Sequence, residues 1–182
     1  MLKDEKSLIK KAKGGESEAF GLLYDYYLPK IYRFVLIKVG HREEAEDLTH
    51  QVFLKAWTSI DSYKHKGHPF GSWLYQISRN IVIDHYRSVG RSKVEVSSEG
   101  LDDALSEESN IDSDLDSKLS FGKVMNAIGK LKDTEQDVLI MRFVDEMPHE
   151  EVAEVVEKSV GATKVIQHRA LKNLKEILEN DR

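Results

Sequence analysis

The stretch PHEEVAEVVEKSVGATKVIQHRALKNLK, from Pro148 to Lys175, carries two apolar rhythms broken by a small-residue turn. Val152, Ala153 and Val156 recur at helical spacing between Glu150 and Glu157; Val165, Ile166, Leu171, Leu174 and then Leu178 do the same further on. Lys158-Ser159-Val160-Gly161 is the tight connection between them. Two short helices joined so closely form a helix-turn-helix, whose second helix lies in the major groove of duplex DNA. Charge points the same way. Lys158, Lys164, Arg169, Lys172 and Lys175, with one His and no acid, follow a helix that is acidic. Ser159 and the amides around Gly161 to Thr163 form a helix start, which attracts a phosphate. Lys164, Gln167 and His168 then face the groove, while Arg169 and Lys172 are placed for backbone oxygens. An ordinary basic amphipathic helix is the alternative reading of the same residues.

Upstream, Leu119, Val124, Ala127, Ile128 and Leu131 line another helix. Asp133 through Gln136 offer an N-cap and its reciprocal partner, and Pro148 suits a first helical turn. Residues 118–182 thus read as one small helical domain. Residues 88–117 are rich in Ser, Asp and Glu with isolated Leu and Ile, too little apolar surface to order themselves, and read as a flexible acidic linker. At roughly 5–6 Å times the square root of its length the linker spans about 30 Å relaxed and about 100 Å extended, enough when stretched to let two domains straddle about 70 Å of duplex.

Residues 1–87 read as the other helical domain. Phe20, Leu23, Tyr24, Tyr27, Ile31 and Phe34 line one helix face; Ala45, Leu48, Val52, Ala56 and Ile60 line a second helix from about Glu43 to Ser59; Phe70, Trp73, Leu74, Ile77 and Ile81 line a third to about Ser88. On the second helix Asp47, Gln51, Phe53 and Trp57 lie off the core stripe. Either that helix is buried nearly all round or it presents aromatic surface to a partner. From Ser62 to Val94, six Lys/Arg and three His face a single acid, Asp84, with rings threaded through them: Tyr63, Phe70, Trp73, Tyr75 and Tyr86. Cations track a phosphate backbone while rings stack on unpaired bases, so the mixture suits single-stranded nucleic acid; core rings beside a solvated face is the plainer alternative. His65 and His68 are three apart, yet no third ligand stands near, so no metal is expected.

The whole is all-α: few Pro and Gly, no alternating β pattern, and two small helical domains joined by an acidic linker, the second with a helix-turn-helix. The net charge of −5 divides into +3 for residues 1–87, −7 for the linker and −1 beyond, so the acid sits between the two candidate nucleic-acid surfaces. Without cysteine there is no thiol chemistry and no disulfide, which fits a cytoplasmic address. No apolar run approaches the length of a bilayer span, and the first residues carry no signal-peptide pattern. No cofactor is expected. An enzyme built on His65, His68, Asp84 or His85 lacks a convergent acid/base pair, since Asp84 and His85 point about 100° apart on a helix. A conventional helix-turn-helix regulator would bind duplex DNA without the basic aromatic segment.

The run Ala45-Glu46-Asp47-Leu48-Thr49-His50-Gln51-Val52-Phe53-Leu54-Lys55-Ala56-Trp57, then Phe70-Gly71-Ser72-Trp73-Leu74-Tyr75-Gln76-Ile77-Ser78-Arg79-Asn80 and Asp84-His85-Tyr86-Arg87, resembles the second region of bacterial extracytoplasmic-function (ECF) sigma factors. Glu150 to Val155 and Ser159 to Leu171 are similar to their fourth region. The resemblance implies that Asp47, Leu48, Gln51, Phe53 and Trp57 dock on core RNA polymerase. It implies that Tyr63, Lys64, His65, Lys66, His68, Trp73, Tyr75, Arg79, Asn80 and Arg87 open and read the minus-ten element. It further implies that Ser159, Gly161, Thr163, Lys164, Gln167, His168, Arg169 and Lys172 read the minus-thirty-five duplex, and that an anti-sigma factor masks both domains. The chain departs from the usual family pattern at His50-Gln51, Leu131-Lys132, Gln136 and Ala162 to Gln167.

Overall fold

A computed structural model describes residue 2 and residues 4–64, 69–89 and 115–180, with backbone alone for 89 and 115–121. Every regular element among them is helical: α1 (Glu5–Lys13), α2 (Ser17–Val39), α3 (Arg42–Ser59) with a 3₁₀ turn at Ile60–Ser62, α4 (Phe70–Val89), α5 (Leu115–Gly129), α6 (Asp133–Leu139) running into a π turn at Ile140–Val144, α7 (His149–Val155) and α8 (Val160–Asn180). Helices α1 to α4 pack as one unit and α5 to α8 as another.

Helices α3 and α4 start and stop within a residue or so of the expected places. Gly40, at φ 74°, closes α2 by donating its N–H to Leu36 O at 2.8 Å, a left-handed stop that favours glycine. Glu43 and Glu44 then set negative charge on the first turn of α3. Helix α1 was not foreshadowed by periodicity: it buries only Ile9, Ala12 and, unusually, the carboxylate-bearing Glu5.

The two units are docked. From Phe34 to Val39 six consecutive residues of α2 are buried, Lys38 among them. A helix with one apolar face cannot do that unless a second surface covers its outer side. Here α5 and the π turn supply the cover, while α7 packs on α4. Lys38 Nζ donates to Asp137 Oδ1 at 2.8 Å and Arg79 Nε to Asp137 Oδ2 at 2.8 Å; Arg33 Nη2 meets Asp145 Oδ1 at 3.0 Å; Gln76 Nε2 donates to Glu154 O at 3.3 Å. Every one of these bonds joins the first unit to the second.

Two local expectations are corrected. Asp133 and Gln136 form no capping box: Asp133 is the first helical residue, no side chain caps the helix, and Gln136 Nε2 donates instead to Gly129 O at 2.8 Å and Leu131 O at 3.0 Å, tying α6 to the end of α5. Pro148 stands just before α7 rather than in its first turn, and its carbonyl accepts the Val152 N–H at 3.1 Å. Ser88 and Val89 finish α4 and residues 115–117 open α5, so both ends of the stretch read as linker are helical; residues 90–114 lie outside the described residues.

Candidate functional site

On α3 the polar residues Asp47, His50 and Gln51 are exposed, and Leu54, 55% exposed, continues their stripe three and seven residues on. Of the aromatic surface weighed in the sequence only the partly exposed Trp57 remains. Phe53 is buried, its ring edge-on to Tyr24 at 4.6 Å, and Trp57 is half-buried against Phe20 at 4.8 Å. Leu48 is buried as well. Helix α3 therefore offers a polar row with one exposed leucine, which spacing did not single out because leucine fits an apolar tally wherever it points.

Around the start of α4 the rings also face inward. Tyr63, Phe70 and Trp73 stack mutually at 5.2 Å, and Tyr75 packs edge-on to Phe34 at 5.3 Å. Burial pushes the Tyr63 hydroxyl up to about 12, with the Glu5 charge adding to the effect, and drives Tyr75 well above the ordinary phenol range, with Asp145 adding. Neither phenol reaches solvent as a free stacking face, contrary to the expectation for Tyr63 and Tyr75. Trp73 is half-buried, and Lys64, Asn80 and Arg87 are exposed. Arg87 leans on Asp84 at 3.5 Å. Arg79 is held by Asp137. His65, Lys66 and His68 lie outside the described residues. A small cleft of about 50 Å³, lined by Tyr63, Lys64, Ser72, Trp73, Gln76 and Glu154, marks where the acidic helix α7 meets this face.

The helix-turn-helix forms as α7 and α8. Ser159 caps α8 by accepting the Ala162 N–H on its Oγ at 3.2 Å, and its carbonyl takes both the Thr163 N–H and hydroxyl. The expected phosphate seat is thus partly satisfied from within, and Thr163, fully buried, is a packing residue rather than a surface one. Gly161, Lys164, His168 and Lys172 are exposed. Gln167 pairs with His149 of α7 at 2.9 Å, a side-chain bond between the two helices. Arg169 Nε donates to Glu135 Oε1 at 2.7 Å. Burial pushes the Glu135 carboxyl up, but bonds from Arg169, Asn173 and the Lys132 amide outweigh it and hold it below its ordinary value.

Among the described residues no helix is long and apolar enough to cross a membrane. Residues 23–92 match the family described as Sigma-70 region 2, and residues 127–176 that described as Sigma-70, region 4. Over 175 residues the chain is 39% identical to the ECF RNA polymerase sigma factor BldN of Streptomyces coelicolor, covering 96% of this chain and 66% of that protein. It is 30% identical to the ECF RNA polymerase sigma factor SigW of Bacillus subtilis over 187 residues, covering 96% of this chain and 97% of SigW. In fold it is similar to CnrH, solved in complex with the cytosolic domain of CnrY (TM-score 0.73, 22% identity, 98% of this chain and 99% of the other). A second likeness is to the sigma factor RpoE of Bartonella quintana, solved with the anti-sigma factor NepR (TM-score 0.66, 24% identity, 90% and 98%).

Proposed function

The chain belongs to the ECF RNA polymerase sigma factors, which direct core polymerase to promoters, and from that premise we propose roles for its surfaces. The α3 row of Asp47, Gln51 and Leu54, backed by Leu48, Phe53 and Trp57, docks on core polymerase in the cytoplasm. Lys64, Trp73, Asn80 and Arg87, over the packed Tyr63 and Tyr75, hold the strand displaced at the minus-ten element, with Arg79 joining once released. Lys164, His168 and Lys172 on α8 meet the minus-thirty-five duplex, with Gln167 at its edge. The protein acts by binding: opening a duplex costs a few kcal/mol per unstacked base, and a basic face that holds the freed strand offsets it.

The observation that supports this most is the row Lys164, His168 and Lys172, exposed along one side of α8 while Thr163 and Ala170 anchor the other. The docked arrangement adds a condition. Arg79 is engaged by Asp137 and the α4 face by α7, so the units must part before both DNA surfaces work together. A protein inhibitor of the anti-sigma kind, binding across both units, would hold them in place. Run-off transcription with core polymerase over a promoter library tests the reading. Start-site selectivity gained on adding the chain is the expected result; none gained on any template overturns it.

A further inference from the structure

Helix α1 has no part in the roles above, yet it grips both shoulders of the connection that leads from α3 into α4. Glu5, in its first turn, is 7% exposed. Its Oε1 accepts the Tyr27 hydroxyl, and its Oε2 accepts the backbone N–H of Phe70 at 3.2 Å, 65 positions away. Phe70 is the first residue of α4, where backbone donors have no partner within the helix and negative charge is favoured. Glu5 is thus a cap delivered to α4 from another helix. At the opposite end of α1, Lys13 Nζ donates to the Asp61 carbonyl at 3.3 Å and to the Tyr63 carbonyl, with the Tyr63 ring 5.8 Å away. One rigid helix of nine residues therefore ties the chain just before Lys64 and just after Pro69.

We propose that α1 is a brace for promoter opening, with Glu5 and Lys13 as positioning residues that set the distance between Tyr63 and the first turn of α4. The inference rests on the reading that this face holds the displaced strand. What the brace controls is visible in the packing: Tyr63, Phe70 and Trp73 form one cluster, and the two tethers end on two of its three members. A holding face ordered during folding need not be ordered again when it captures a strand, so the ordering cost is absent from the opening step. Gly71 shows how closely the joint is fitted. A Cβ there would stand 2.6 Å from Cε1 of Tyr27, the ring that Glu5 holds.

The test uses the full chain with core polymerase on a duplex promoter that the wild type opens, comparing Lys13→Met, Glu5→Gln and Lys13→Arg. Opening is read by permanganate reactivity of minus-ten thymines, beside core-polymerase affinity and thermal midpoint. The expected result is a loss of about tenfold in the opening rate for Lys13→Met, core affinity unchanged, and recovery of most of the rate in Lys13→Arg. Opening at the wild-type rate in both Lys13→Met and Glu5→Gln overturns the brace. So does a loss matched by equal falls in core affinity and midpoint, the mark of a purely structural role. Failure of the underlying reading looks different, because then the wild type itself opens no promoter.

Discussion

Lys38 and Asp137, 99 positions apart in the chain, meet at 2.8 Å with side chains 3% and 0% exposed. The same carboxylate accepts Arg79 on its other oxygen, so one buried acid in the second unit satisfies two cations in the first. Removing one member of such a pair is destabilising by about 3–5 kcal/mol when the remaining charge stays buried. Separation of the units is the way to rehydrate it.

Asp137→Ala is therefore expected to shift the chain toward an extended form. Small-angle scattering should show a larger radius of gyration than wild type, with the helical content of each unit retained. An unchanged scattering profile would count against the pair as the fastening between units.

Glu135 predicts a pH dependence. Its folded carboxyl lies below its ordinary value of 4.5, so the unfolded chain binds the proton more readily and stability from this group is present above that value. It is lost as pH falls through the folded value. Glu135→Gln should lower stability by about 1.5 kcal/mol near neutrality, and the gap from wild type should close in acid. Denaturant titrations at several pH values would read this; a gap that persists into acid contradicts it.

Gly71→Ala forces a methyl group against Tyr27, which is itself 5% exposed and held by Glu5. Overpacking of this kind costs about 1–3 kcal/mol, and each kcal/mol lowers the midpoint of a chain this long by about 2–4 °C. A wild-type melting curve would show that the ring yields freely.

Leu54→Ala removes an exposed side chain from the α3 row and should leave the folding stability within about 0.5 kcal/mol of wild type. Its affinity for core polymerase should fall by about 1–2 kcal/mol, measured by fluorescence anisotropy. Equal affinity for core polymerase would remove Leu54 from the docking surface.

On α8, Lys164→Ala and Lys172→Ala should weaken promoter binding by the holoenzyme alike on all sequences, each reducing the slope of log affinity against log salt by about 0.9. His168→Ala should instead alter preference among minus-thirty-five sequences. Salt titrations and competition with variant promoters separate the two effects.

Much of this architecture could be read from residue order alone. Helices α3, α4 and α8 announce themselves because their apolar positions repeat every three or four residues and small or capping residues bound them. The direction in which Phe53, Tyr63 and Tyr75 point could not be read. A ring has the same spacing whether it packs on Tyr24 or Phe34 or faces a strand of DNA, and the residues that decide the matter are distant in sequence. The engagement of Arg79 by Asp137 and of Arg33 by Asp145 was hidden for the same reason: a basic residue looks available until its partner, 58 or 112 positions on, is placed. Helix α1 is not legible in the sequence because two buried apolar residues are too few to establish a rhythm.

The run from Phe34 to Val39 has a consequence for the protein's life in solution. Once α5 and the π turn let go, the outer side of that strip meets water with Lys38 in its midst, a surface prone to self-association. An opened molecule would then be short-lived on its own, and whichever larger assembly receives it must be at hand when it unfastens, so that release and capture become a single event.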